Sequence, residues 1–145
     1  MIDKLNRKKL SGLCLSTMMG SQLTDAAILL LGMQSENLER TWFDHLDINQ
    51  SLSHLKPFIN VKKLKITHCK GYLDVILRLC PNLTCLTIER CEDMKIESEN
   101  FSLAKLQQLN LVNDGMELEE KYKLILRDKL PEQWMRKYLM LAKIK

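Results

Sequence analysis

The stretch VKKLKITHCKGYLDVILRLCPNLTCLTIERC, residues 61–91, contains one short phrase twice. Val61-Lys-Lys-Leu64-Lys-Ile66 is matched 22 residues later by Leu83-Thr-Cys-Leu86-Thr-Ile88. Each phrase is followed, after two residues, by a cysteine, Cys69 or Cys91. The closing apolar-polar-apolar triplet has the period of a strand with one buried face. Between the phrases, YLDVILRLC puts Leu73, Ile76, Leu77 and Cys80 on one side of a helix, and Pro81 ends it. Strand and helix alternating at a fixed spacing predict parallel strands joined by return segments on their outer side.

Working outward, the phrase recurs at Leu10-Ser-Gly-Leu13-Cys-Leu15, at Leu38-Glu-Arg-Thr41-Trp-Phe43 and at Leu106-Gln-Gln-Leu109-Asn-Leu111. Successive starts lie 28, 23, 22 and 23 residues apart. That is the spacing of a leucine-rich repeat, whose core reads LxxLxLxxN/C. It also explains why 28 of 145 residues are leucine. The expected fold is therefore α/β, a leucine-rich-repeat solenoid of about five repeats with a short parallel sheet on its concave side. No single repeat buries its apolar face alone, so the copies must stack. Cys69 and Cys91 fill the N/C position, while Met18, Leu46 and Asp114 replace it elsewhere.

The other return segments fit the scheme unevenly. SQLTDAAILLLGMQ places Leu23, Ala26, Ala27, Leu30 and Leu31 on one helical face, with Ser21 or Thr24 as N-cap. QSLSHLKPF offers Leu52 and Leu55 three residues apart, with Pro57 closing the turn. KIESENFSLAKL has no clear period, and Ile96, Phe101 and Leu103 are its anchors. Residues 1–114 are read as the repeat array. Residues 115–145 are read as a helical C-terminal cap, interrupted at Pro131, with a partner-binding or membrane-surface helix as the alternative.

Composition narrows the function classes. Hydrophobic residues make up 46% and charged residues 28%, which suits a globular chain. The longest apolar run, Ala26–Met33, falls far short of the roughly 20 residues a membrane span needs. No signal peptide is evident, so a cytoplasmic protein is expected, with the nucleus as an option. Five cysteines, an odd number without a CxxC pair, point to free thiols and to no metal site. The sequons at Asn49 and Asn82 matter only on a secretory route. Lys56 to Lys70 holds five lysines and no acid, which suits an acidic partner or simply a solvated face. No aromatic RNA-binding signature accompanies it, so nucleic acid is an unfavoured partner.

No phosphate-binding glycine loop, GxSxG or HExxH occurs, so no enzyme, no catalytic residue and no cofactor are expected. In a stacked array the exposed strand positions fall into columns. The first is Gly12, Arg40, Lys63, Cys85 and Gln108. The second is Cys14, Trp42, Lys65, Thr87 and Asn110, and the third is Ser16, Asp44, Thr67, Glu89 and Val112. His45, His68 and Arg90 come one residue later, at the rim, where the two imidazoles are close enough in register to stack. The expected partner-binding set is Arg40, Trp42, Asp44, Lys63, Lys65, Thr67, Thr87, Glu89 and Asn110. Trp42 with Arg40 is the best anchor, since interface hot spots favour Trp, Tyr and Arg. The competing role for Trp42 is packing at a repeat edge.

CPNLTCLTIERCEDM, residues 80–94, resembles the cysteine-containing leucine-rich repeat, C-P-x-L-x-x-L-x-L-x-x-C. GSQLTDAAILLLGMQSENLERT resembles the same class's ITD-x-G-L return segment. This repeat class is characteristic of F-box/leucine-rich-repeat proteins, the substrate receptors of SCF-type ubiquitin ligases. The resemblance covers residues 10–114 and is most specific over 61–91. It implies a protein-recognition role within ubiquitin-dependent degradation. Nine residues precede the first repeat, too few for an F-box, and the Leu-Pro of LPEQWMRKYL at 130–139 stands at the wrong end for one. A stand-alone regulatory or decoy protein without a ligase link is the alternative, and a basic-patch binder of membrane surfaces or nucleic acid is the third.

Overall fold

In a computed structural model the described residues are 10–21, 25–91, 94–112, 126 and 129–131. Seven strands form one parallel sheet: β1 (Gly12–Ser21), β2 (Arg40–Ile48), β3 (Lys63–Thr67), β4 (Lys70–Tyr72), β5 (Cys85–Glu89), β6 (Met94–Lys95) and β7 (Gln108–Val112). The sheet curls, and two helices accompany it, α1 (Asp25–Met33) and α2 (Leu73–Leu79). The chain is thus α/β with a curled parallel sheet.

The main ladder runs β1-β2-β3-β5-β7 and is in register apart from a shift in β1 between Ser16 and Ser21. Thr41, Leu64, Leu86 and Leu109 are strand-to-strand partners, as are Phe43, Ile66, Ile88 and Leu111. In the middle strands these side chains are buried, with Ile66, Leu86 and Ile88 at 0% exposure. Burying one such side chain contributes about 1.5–3 kcal/mol, so these two columns are a main source of cohesion. The apolar residues that open the last four phrases, Leu38, Val61, Leu83 and Leu106, are buried too, while Leu10 is half-buried.

The chain enters β2, β3, β5 and β7 through the same pair of bonds. Glu39 and Arg40 N–H both donate to Ser11 O, Lys62 and Lys63 to Glu39 O, Thr84 and Cys85 to Lys62 O, and Gln107 and Gln108 to Thr84 O. A row of polar side chains lies just outside this entry. Asn60 Nδ2 donates to Glu36 O, Asn82 Nδ2 donates to Ile59 O, and Asn82 Oδ1 accepts from Lys105 Nζ at 2.7 Å. Asn37 begins the row by donating to Gln34 Oε1.

A bend after the ladder residues of β2, β3 and β5 also recurs. His45, His68 and Arg90 have φ of 54°, 51° and 54°. This left-handed turn is unusual without glycine and costs about 1–2 kcal/mol per residue. The residue after each one, Leu46, Cys69 or Cys91, is buried. Cys69 Sγ donates to Phe43 O at 3.3 Å, and Cys91 Sγ donates to Ile66 O at 3.5 Å, so each thiol ties its turn to the strand before it. Burial pushes both thiols up, Cys69 to about 12 and Cys91 to about 11. Beyond the bend, the end of β2 pairs with β4, and β4 pairs with β6. Gly71, at φ 105°, is required there because a Cβ would sit 2.1 Å from Ile48 O.

The return segments differ from one another. The segment after β2 is a 3-10 turn, Gln50–His54, with Asn49 as N-cap and Leu52 buried. In α2, Leu73, Ile76, Leu77 and the following Cys80 are buried as the spacing predicts, but Asp74, Val75 and Leu79 are buried as well. Asp74 accounts for this. Its carboxylate accepts from Glu97 N–H at 3.1 Å and Ser98 N–H at 3.2 Å, and Arg78 Nη2 lies 3.6 Å away. It therefore holds the irregular segment that contains Ile96, Phe101 and Leu103 against the helix. In α1, Leu30 and Leu31 face the core. Ser21 is not an N-cap, because β1 continues through it, and Thr24 lies outside the described residues. Of the expected C-terminal cap, only 126 and 129–131 are described. Leu126 is fully buried in the core and Leu130 packs against it.

Candidate functional site

Strand alternation sends every second side chain of the ladder away from the core. Those side chains stand in the three columns expected from the sequence. Gly12, Arg40, Lys63, Cys85 and Gln108 are in register, as are Cys14, Trp42, Lys65, Thr87 and Asn110. Ser16, Asp44, Thr67, Glu89 and Val112 form the third column. Over the first two columns the face is hollowed into an open depression of about 730 Å³, and Arg40, Trp42, Lys63, Lys65 and Thr87 line it.

Trp42 is 39% exposed, the largest aromatic surface among the described residues. Two contacts fix it in place, and a third braces the first. Its indole N–H donates to Thr67 Oγ1 at 2.8 Å, Thr67 Oγ1 donates to Asp44 Oδ1 at 2.5 Å, and Lys65 Nζ lies 4.5 Å above the ring. Lys65 is also 3.9 Å from Glu89, so it is shared between a ring and a carboxylate. Trp42 is therefore presented on the face and not folded into a repeat edge. The ring is held before any partner arrives, which spares ordering entropy on binding.

Asp44 collects the third column. It accepts from Ser16 Oγ at 3.0 Å and from Thr67, and His45 Nδ1 lies 3.0 Å away. Burial pushes the carboxyl up, but the hydrogen bonds from Thr67, His45 and Ser16 outweigh it and hold it below the ordinary carboxylate range. His45 and His68 stack as their register allows, 4.5 Å apart with ring planes within 9°. Further along, Asn110 Nδ2 donates to Thr87 Oγ1 at 3.2 Å.

Eight of the nine expected residues thus present exposed or half-buried side chains on one face. Thr67 is the exception. It belongs to the same column but is only 3% exposed, so it acts by positioning Trp42 and Asp44 and offers a partner no surface of its own. The sequence reading missed the left-handed bend at the rim, since none of its three residues is a glycine. It also missed the buried Asp74, which an acidic residue at the first turn of an apolar helix could have signalled.

Among the described residues, no group of three or more His, Cys, Asp or Glu side chains is placed to hold a metal ion. All five cysteines are free, with Cys14 exposed and Cys85 half-buried on the sheet face. Among the described residues, no helix is long and apolar enough to cross a membrane. The chain matches no known family, no curated protein and no solved structure.

Proposed function

We propose that this chain is a leucine-rich-repeat interaction module that binds a partner protein across the exposed face of its parallel sheet. One observation carries the reading: an aromatic anchor, Trp42, is held rigidly beside an open depression and ringed by cations, hydroxyls and amides. Interface cores commonly use such an anchor, with polar residues at the rim. The reading assigns no catalysis, cofactor or metal. The likeness of residues 61–91 to the repeats of F-box substrate receptors supports substrate recognition in a ubiquitin ligase pathway.

The test is site-specific photo-cross-linking in native cells, with the reactive group at Gln108 or Asn110 on the face and at Ser53 on the outer side. A partner captured from the face and lost in both Trp42→Ala and Lys65→Glu is the expected result. Equal capture from the outer side, or binding indifferent to both substitutions, would refute it. Co-recovery of cullin and its adaptor would tie the partner to a ligase. A partner retained without them favours a stand-alone regulatory or decoy protein.

A further inference from the structure

The sheet face carries charge in two bands. Arg40 and Lys63 sit at the strand starts as register partners on adjacent strands, which places their backbones about 4.8 Å apart. Both are exposed, and among the described residues neither has an ion-pair partner. Lys65 follows two residues along β3, about 6.6 Å further. Among the described residues lining the depression there is no acid. The opposite band, toward the strand ends, holds Asp44 and Glu89.

From this division we infer that the partner presents an acidic peptide segment with an aromatic or large apolar side chain next to its carboxylates. This rests on the interaction reading above and names its partner's chemistry. Successive carboxylates meet Arg40 and Lys63, and the apolar side chain lies on the exposed ring of Trp42. Cations at the strand starts without a nearby acid attract carboxylates, and the depression leaves room for them. Gly12 helps to set the guanidinium: a Cβ there would stand 3.2 Å from Arg40 Nη2, so the arginine lies across β1 at the mouth of the depression. Asp44 and Glu89 repel the same segment from the other end, so its acidic residues settle over the strand starts. A nucleic acid or an anionic lipid surface fits less well, because an extended polyanion would run onto that acidic band.

The experiment measures anisotropy of three fluorescein-labelled peptides against the whole chain. The first reads Glu-Glu-Phe-Glu-Glu, the second replaces each Glu with Gln, and the third places phosphoserine at two of the Glu positions. A single-stranded oligonucleotide serves as competitor. The acidic peptide should bind about 10-fold or more tighter than the neutral one and weaken as salt rises. The double variant Arg40→Glu/Lys63→Glu, verified as folded by its melting curve, should lose about 10-fold, and Arg40→Gln/Lys63→Gln should lose less. Preference for the phosphoserine peptide keeps the anionic site and names phosphate as its source. Equal affinity for acidic and neutral peptides, or indifference to charge reversal, overturns the inference. So does an oligonucleotide that outcompetes the acidic peptide through the same two residues. A partner cross-linked at Gln108 with no acidic residue at the point of attachment overturns it too, while leaving the face-binding reading intact.

Discussion

The middle strands of the sheet and its first strand make an instructive pair. In β2, β3 and β5 the five ladder residues are followed by a left-handed residue and then a buried Leu or Cys. β1 instead runs for ten residues, and its register against β2 shifts between Ser16 and Ser21. The core positions differ in the same way. Ile66 and Ile88 are fully buried, whereas Leu13 and Leu15 are half-buried. β3 has a neighbour on both sides, while among the described residues β1 pairs with β2 alone. Regularity therefore goes with having a paired strand on each side.

The largest test of that contrast is a matched truncation. Ile66→Ala should cost about 3–4 kcal/mol and Leu13→Ala distinctly less, about 1–2 kcal/mol, in urea denaturation. Equal costs would mean that the end strand is as well packed as the middle. Next comes Asp74→Ala, which leaves the Glu97 and Ser98 amides without their acceptor and Arg78 without its carboxylate. A loss of about 2–3 kcal/mol is expected, with protease cleavage appearing first in the 96–104 segment. If the loss is under about 0.5 kcal/mol, solvent already serves those amides.

A smaller effect of opposite sign is expected at Thr41. It stands in the buried column where the other strands carry leucine, and its hydroxyl has no hydrogen-bond partner among the described residues. Thr41→Val should stabilise by about 1 kcal/mol and make β2 more like its neighbours. A destabilised Thr41→Val would show that the hydroxyl is satisfied after all. The last effect is absent at neutral pH. Burial raises Cys69 and Cys80 to about 12 and Cys91 to about 11, against 9.0 for a free thiol. Above pH 9.0 the unfolded chain loses these protons while the folded chain keeps them, so stability falls as pH rises toward 12. Melting temperature followed from neutral pH upward should drop more steeply in the native chain than in Cys69→Ala/Cys91→Ala. Parallel curves would count against thiol linkage.

Much of the sheet was legible because its signal is periodic. The alternation Leu64-Lys-Ile66 and Leu86-Thr-Ile88, carried at one spacing, determines which side chains pair and which face they share. The site columns come from the same arithmetic, which is why Arg40, Trp42, Lys63 and Lys65 were placed without coordinates. What escaped were features that depend on a neighbour in space. Thr67 sinks below the surface because Trp42 and Asp44 close on its hydroxyl. β1 extends through Ser21 because β2 is long enough to pair with it, so of the two cap candidates Ser21 joins the sheet and Thr24 lies outside the described residues. Asp74 is buried because a segment over twenty residues later supplies its donors. The bends at His45, His68 and Arg90 lack the glycine that would have announced them.

The asparagine row has a consequence for how such a chain can change length. Its rungs at Asn37, Asn60, Asn82 and Lys105 are 23, 22 and 23 residues apart, yet the arcs between them contain a 3-10 turn, an α-helix and, among the described residues, no helix at all. Three dissimilar arcs thus deliver the chain to equivalent starting points. Insertions and deletions belong in the arcs, while one extra residue between a rung and the bend that follows it would turn a whole strand's side chains over. The arcs are in that sense transplantable parts. Replacing the loose 96–103 arc with a helical one of matched span is a practical way to lengthen or stiffen this protein without altering the face it offers.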